Sequence, residues 1–435
     1  MKTDQSGAKS APEVSTDATQ TDVCVLGLGH VGLPTALLAA QEHDVVGVDI
    51  DQPRVDAIET GDLPTDEDAI DQLYQEVTGT FQAQTTIADA DTYVVVTPTP
   101  VRTDSDVADL SYVEAATEMI EPTLSAEDLV IVESTVPPGT TERLVASTLE
   151  GSGLSRAEFH LAFSPERASP GDTLTEMVHN DRIVGGIDAA SVDAAVDFYE
   201  TFVEGEVRGT VPRTAEFAKL IENTFRDVNI ALANEFALVA EELGVDVHEA
   251  IDLANEHPRV GIHRPGPGVG GHCIPVDPNF ISQHTTSDRL ISLAREVNDS
   301  MPAHVVQSIE RLIDDETDAT VTLLGAAYKG DVEDTRETPT AALVDLLTNL
   351  GVDVRLHDPH VETFSVDPQP LADAVTGSDC LVVVTDHTEF ESLDPATLAE
   401  EMDTPVVYDT RCLLDRERWE TAGFEVAVLG DGRTR

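Results

Sequence analysis

Lysine is nearly missing from this chain: four occur in 435 residues, and two of these, Lys2 and Lys9, precede the first apolar segment. Basic residues together number 25 against 83 acidic ones, a formal net charge of −58. A surface of that sign excludes nucleic acid and anionic membranes as partners, because both need basic patches that neutralise phosphate. Cysteine is scarce too. Four without regular spacing give neither a disulfide framework nor a zinc pattern, and point to a reducing, cytoplasmic compartment. No apolar run approaches the roughly 18 residues of a membrane span. Residues 1–20 are polar and rich in Ser and Thr, with no apolar h-region, so they read as a disordered tail rather than a secretory signal.

The acids are spread along the whole chain, and 41% of its residues are hydrophobic and fall in periodic blocks. Disorder is therefore excluded, and a solvated acidic surface suited to molar salt is the better reading. The length allows two or three domains. The stretch from Thr21 to Asp51, "TDVCVLGLGHVGLPTALLAAQEHDVVGVDID", reads as strand, glycine turn, helix and strand. Further strands are expected in "TYVVVTPTP", "DLVIVESTVPPG", "EFHLAFSPER" and "DRIVGGI". Strands alternating with helices predict a parallel sheet with crossover helices. From about Thr214 to Leu243 no Gly or Pro occurs, which predicts one unusually long helix stopped by Gly244. A second alternating region begins at "ATVTLLGAAYKG". The expected fold class is α/β: two Rossmann-like domains with parallel sheets, at 21–205 and 319–430, joined by a central helical domain at 206–310.

Gly27, Gly29 and Gly32 form a G-x-G-x-x-G turn after a strand, and Asp49 ends the next strand 22 residues after Gly27. Such glycines permit a tight turn and close approach of a pyrophosphate to a helix N-terminus. The acid would accept a ribose hydroxyl and repel a 2′-phosphate, favouring NAD over NADP. Lys219 and Asn223 are four apart on the long helix and project from one face, where an ammonium and an amide can hold an oxyanion. Taken in isolation, a solvated face, or an ion pair of Lys219 with Glu216 or Glu222, is the better reading of them. Cys24, Cys380 and Cys412 sit among apolar neighbours and read as core, whereas Cys273 stands in "PGPGVGGHCIPVDP". Gly268, Gly270 and Gly271 remove bulk before it, so something else can come close. His272 reads as a structural or substrate-contact residue, since adjacent side chains in extended chain diverge. Cys273, His272 and His263 have no recognised metal-ligand spacing, and no metal is expected.

Together the motifs "GLGHVGLP", "TPTP" with "DLSYV", "ESTVPPGTT", "SPERASPG", "KLIENTFRDVNIALANE", "PGPGVGGHCIPVDP" and "AAYKGDVEDTRETP" identify a resemblance. The chain resembles the nucleotide-sugar 6-dehydrogenases, the UDP-glucose and UDP-N-acetylhexosamine dehydrogenases, from about Asp22 to Arg411. The resemblance implies oxidation of the sugar C6 alcohol to a carboxylate with two NAD, for surface polysaccharide or glycoprotein glycan synthesis. It implies that Cys273 forms a thiohemiacetal and then a thioester, so that the glycines admit the sugar C6 and nicotinamide. It further implies that Lys219 and Asn223 stabilise oxyanion-like states, that Asp277 positions Lys219 or water, and that Glu166 with Thr135 serves proton transfer and water. Cofactor contacts are implied at Gly27, Gly29, His30, Val31, Gly32, Asp49, Arg54, Thr97, Thr135 and Arg336. Substrate contacts are implied at Glu166, Arg167, Lys219, Asn223, Gly270 and Lys329, and at Arg259 across a homodimer packed through the long helix.

"HPRV" at His257 to Val260 and His272 resemble the UDP-N-acetylmannosamine branch, while Pro275 is more like the UDP-N-acetylglucosamine enzymes. UDP-N-acetylglucosamine and UDP-glucose thus stand as alternative substrates. A two-electron hydroxyacid dehydrogenase shares the glycine turn and the Lys-x-x-x-Asn helix but needs neither Cys273 nor a second α/β domain.

The charge generates a prediction. Activity should require roughly molar KCl or NaCl, because the Debye length falls from about 10 Å at 0.1 M to about 3 Å at 1 M and screens acidic self-repulsion. NADH production measured across a salt series checks this, and full activity in dilute buffer would contradict it.

Overall fold

The computed structural model describes residues 21–65, 67–102, 107–168, 171–313 and 319–433. The tail expected at 1–20 lies outside them. The chain forms two compact units, one ending at Ile221 and the other beginning at Glu222.

The first unit is built on an eight-stranded sheet. Its strands are β1 (Thr21–Leu26), β2 (Val45–Val48), β3 (Phe81–Gln84), β4 (Ala90–Val95), β5 (Leu129–Val132), β6 (His160–Phe163), β7 (Arg182–Gly186) and β8 (Val207–Thr210), in the order β3-β2-β1-β4-β5-β6-β7-β8. The period of two is visible in β1. Val23 and Val25 enter the core on one face of the sheet, and Cys24 and Leu26 enter the core on the other. Helices cover both faces, which is why these strands read as continuous apolar runs.

The expectation of a wholly parallel sheet needs one correction. β7 pairs antiparallel with β6, with Phe163 opposite Gly185, and β8 then runs parallel to β7. Among the described residues, the connection from β6 to β7 holds only the short helix Thr173–His179. The chain returns from the end at which β6 finished rather than crossing over. Arg182, the first residue of β7, therefore starts at the carboxyl edge of the sheet, where a parallel strand would finish.

The second unit contains a five-stranded parallel sheet: β9 (Thr320–Leu324), β10 (Asp353–His357), β11 (Cys380–Val383), β12 (Val406–Asp409) and β13 (Glu425–Val428), ordered β10-β9-β11-β12-β13. This repeats the order β2-β1-β4-β5-β6 of the first unit. The opening turn is repeated as well. Gly27 (φ 100) donates its N–H to Val48 O at 2.7 Å, and Gly325 (φ 105) donates to His357 O at 2.8 Å. Asp49 Oδ2 accepts the Leu28 N–H at 2.9 Å, and Asp358 Oδ2 accepts the N–H groups of Ala326 and Ala327 at 2.6 and 3.1 Å. In the second unit a histidine joins the acid: His387 Nε2 lies 3.0 Å from Asp358 Oδ2, both side chains fully buried.

Between the two sheets in sequence the chain is helical. Pro212–Leu243 is a single helix of 32 residues, opened by proline at a position where no N–H is needed, and Gly244 follows it at φ 68. One stripe of it, from Phe217 and Ile221 through Phe225, Leu232 and Phe236 to Leu243, is exposed, with Phe225 at 62% and Leu243 at 69%. Cys24 and Cys380 are core residues as read from sequence, and burial pushes both thiols up to about 12. Cys412 is not: it is exposed and left-handed (φ 54), in the turn after β12 where Asp409 collects backbone N–H groups.

Candidate active site

The three glycines of the first turn serve three purposes. A Cβ on Gly27 would lie 2.3 Å from Val96 O, and one on Gly32 would lie 1.8 Å from Gly27 O, so the turn and its packing exclude side chains there. A Cβ on Gly29 would meet nothing within 4 Å. Its side of the turn is open, as close approach of a pyrophosphate requires. The helix it leads into, Gly32–Ala39, carries no side-chain cap and no acid in its first turn, which leaves N–H donors for an anion. His30 is exposed and Val31 half-buried on the same turn. Asp49 is buried, with Oδ1 on the Asp51 N–H at 2.9 Å and Oδ2 shared between Leu28 N–H and Arg54 at 3.0 Å. The residues fit NAD: the glycine turn would hold its pyrophosphate and Asp49 its ribose.

Threonines stitch the neighbouring strand ends together. Thr97 donates its N–H to Ser134 Oγ at 2.8 Å, and Thr99 Oγ1 donates to Thr135 O at 2.7 Å. Beyond them lies a cluster that the sequence reading did not anticipate. Glu133, immediately after β5, is fully buried with Oε1 2.8 Å from Arg182, and the other arm of Arg182 reaches Glu166 Oε2 at 3.0 Å. Tyr199 donates to Glu133 at 2.6 Å and Thr35 at 2.9 Å. Burial pushes the Glu133 carboxyl above its usual range, and Arg182 opposes that rise. Glu166 Oε1 accepts the N–H of Arg167, whose side chain donates to Asp181 O at 2.8 Å. The available signal was an arginine opening an apolar strand in a chain poor in cations. Lys219 is half-buried, and Glu216 is not its counter-ion, for that carboxylate caps the loop at Gly139 and Thr141 through their N–H groups.

The remaining candidates belong to the second unit. Cys273 is exposed on its loop, and its carbonyl accepts the Val276 and Asp277 N–H groups at 3.2 and 2.9 Å. Asp277, buried at the start of the helix Asp277–Ser282, accepts Asn223 Nδ2 at 2.6 Å. The Cys273 turn is thereby tied to the long helix through Asn223. Arg336 and Tyr328 are electrostatic neighbours of Cys273. The glycines before Cys273 make room for the chain itself. A Cβ on Gly270 would fall 2.6 Å from Tyr328 Cβ and 2.8 Å from Glu337 O, and Gly271 donates its N–H to Arg336 O at 2.8 Å. Burial and then the Arg336 charge pull the His272 imidazole below its ordinary value. Arg336 forks onto Asp334, with its NH2 2.6 Å from Oδ2. Lys329 and Arg259 are exposed. Asp331, His360, His387 and Glu389 also gather in this unit. Both His387 nitrogens are engaged, by Asp331 N–H and Asp358, and His360 is paired with Glu389 at 3.2 Å.

Three consecutive stretches match the UDP-glucose/GDP-mannose dehydrogenase family: its NAD binding domain at 21–203, its central domain at 213–300 and its UDP binding domain at 322–416. The UDP-N-acetyl-D-mannosamine dehydrogenase of Methanocaldococcus jannaschii is 43% identical over 419 residues, 94% of this chain and 97% of the relative. The solved UDP-D-ManNAc dehydrogenase of Pyrococcus horikoshii superposes with a TM-score of 0.89 at 39% identity, covering 95% of this chain and all of that one. The UDP-N-acetyl-mannosamine dehydrogenase Cap5O of Staphylococcus aureus gives 0.85 at 37% identity, covering 95% and 98%.

Asp49 and Arg54 together determine a cofactor prediction. NAD should be used at least about tenfold more efficiently than NADP, a difference of about 1.4 kcal/mol. Asp49→Ala weakens ribose binding and releases Arg54 toward a 2′-phosphate, so the ratio of kcat/KM values should narrow by about tenfold or more. Steady-state kinetics with both cofactors measures it; equal use by the native protein contradicts the role given to Asp49.

Proposed function

The chain belongs to the UDP-glucose/GDP-mannose dehydrogenase family and is an NAD-dependent UDP-sugar 6-dehydrogenase; on that premise we propose that its substrate is UDP-N-acetylmannosamine and its nucleophile Cys273. NAD, when bound, takes up one hydride in each of two oxidations. In the first, the C6 alcohol becomes an aldehyde, and its hydroxyl proton passes into the network of Glu166, Thr135 and Lys219. The Cys273 thiolate adds to the aldehyde carbon to give a thiohemiacetal, whose oxygen Lys219 and Asn223 stabilise. Loss of the second hydride leaves a thioester, and water cleaves it to the carboxylate and the free thiol. The balance is four electrons, one water consumed and two NADH per sugar. The uronate then feeds surface polysaccharide or glycoprotein glycan synthesis.

The observation that carries this reading is the contrast among the cysteines. Cys24 and Cys380 are sealed in cores that suppress ionisation, while Cys273 is exposed beside the Arg336 guanidinium, and a neighbouring cation favours the thiolate. Asn223 held by Asp277 supports an oriented amide near that loop. "HPRV", His272 and the relatives named for N-acetylmannosamine favour this sugar over UDP-N-acetylglucosamine and UDP-glucose. Lys329 and Arg259, both exposed, are assigned to the UDP-sugar, with Arg259 reaching across the dimer. We assign domains at 21–205, 206–310 and 319–430, a reading supported by family matches at 21–203, 213–300 and 322–416. The scarcity of cysteine, with no helix among the described residues long and apolar enough to cross a membrane, supports a cytoplasmic site of action.

Intact-protein mass spectrometry and NADH counting test the chemistry. Each UDP-N-acetylmannosamine should yield two NADH and one uronate, and Cys273→Ser should slow turnover by roughly 10³-fold or more, or stall as an ester. One NADH per sugar, or near-native Cys273→Ser, overturns the covalent route; a clear preference for UDP-glucose overturns the sugar assignment.

The exposed apolar stripe of the long helix fits a second copy of the chain, since contiguous apolar patches of that extent mark interfaces. In molar KCl the protein should elute as a homodimer by light scattering. Phe225→Asp should convert it to monomer, because a carboxylate buried without a partner costs several kcal/mol. A monomeric native protein contradicts the assignment.

A further inference from the structure

One guanidinium in the first unit serves two carboxylates, and the reaction scheme uses only one of them. Arg182 is 4% exposed, with its NH1 on Glu133, its NH2 on Glu166 and its centre 4.3 Å from the Tyr199 ring. A planar fork can satisfy two acceptors in fixed directions, which an ammonium cannot. Glu133 is anchored in turn by Tyr199 and by Thr35, and Thr35 lies on the helix that follows the glycine turn. Glu166 receives Arg182 on one oxygen and the Arg167 and Ala168 N–H groups on the other, so both oxygens are directed. The charged groups placed against Glu166 are Arg182 from β7, Glu133 immediately after β5 and, through its backbone N–H, Arg167 from its own loop; Tyr199 of the helix Ala189–Tyr199 acts on Glu133 and Arg182. Glu176 and Asp181 line the same small cavity.

We propose that Arg182 is a positioning residue for the dehydrogenase reaction: it holds Glu166 as an oriented carboxylate, and Glu133 sets how strongly it does so. This rests on the reading of Glu166 as part of the proton and water network. The two partners act on Glu166 with opposite sign. Arg182, an opposite charge in contact, favours the ionised form; Glu133, a like charge that also competes for the guanidinium, disfavours it. Weakening Arg182 therefore loosens the hold on the Glu166 carboxylate, and neutralising Glu133 tightens it. A merely structural cluster would give losses of one sign only.

The test is the pH dependence of kcat at saturating NAD and UDP-sugar in molar KCl, with thermal midpoints taken alongside. Glu166→Gln should lower kcat by about 10²-fold or more, leaving the KM for NAD within about threefold. Arg182→Lys should move the acidic limb up by about 0.5–1 pH unit, and Glu133→Gln should move it down by a similar amount. Shifts of the same sign, or unmoved limbs with activity tracking the thermal midpoint, overturn the proposal and leave Arg182 a packing residue. Should Arg182→Lys fail to fold, a downward shift in Glu133→Gln supports the proposal and an unmoved limb overturns it. Native turnover by Glu166→Gln instead refutes the role of Glu166 on which both readings depend.

Discussion

Glu133 follows β5 with none of its surface in water, and a carboxylate there is tolerable only because Arg182, Tyr199 and Thr35 face it. Five segments meet on that cluster: the helix after the glycine turn, the ends of β5 and β6, the start of β7 and the helix Ala189–Tyr199. Removing one partner of such a buried pair typically costs about 3–5 kcal/mol, a large fraction of the roughly 5–15 kcal/mol that holds a domain folded. The geometry is available because β7 runs backwards. Phe163 pairs with Gly185, so Glu166, three residues after Phe163, and Arg182, three residues before Gly185, come level at the carboxyl edge. A parallel β7 would have put Arg182 at the far edge and left both carboxylates without a cation.

The two sheets show one turn put to different uses. Gly27 with Asp49 and Gly325 with Asp358 have the same backbone geometry and the same acid receiving N–H groups from the turn. In the first unit Asp49 has, among the described residues, only the half-exposed Arg54 as a side-chain partner. In the second, His387 occupies the acid from within the core. Burial works against the charge on Asp358, yet the His387 ring and the Ala326 and His360 N–H groups hold it well below the usual carboxylate range. His387 accepts the Asp331 N–H on Nδ1, so its proton sits on Nε2 and points at Asp358. The second turn is thus internally satisfied and serves as architecture.

Features encoded locally were legible in the sequence. The strand, glycine turn and acid of the first unit, the burial of Cys24 and Cys380, and the long uninterrupted helix each depend on neighbours within a few residues or on a simple period. Strand direction does not. An apolar run such as "RIVGG" reads the same forwards or backwards, and only the short connection before it decides which end meets Glu166. The glycines at Gly270 and Gly271 were legible as a demand for space, but the occupants, Tyr328 and the Glu337 backbone, lie far away in sequence. Cys412 misled for a related reason: its apolar neighbours Leu413 and Leu414 lie in a turn organised by Asp409, which directs the thiol outward.

The scarcity of lysine has a consequence for handling this protein. Lysine occurs only at Lys2, Lys9, Lys219 and Lys329. Among the described residues Lys219 is half-buried and Lys329 exposed, so reagents that seek amines, whether fluorophore esters, cross-linkers or activated surfaces, meet Lys329 before Lys219. A chain rich in lysine would be tethered in random orientations. This one offers few lysines to such reagents, which leaves its acidic surface unmodified.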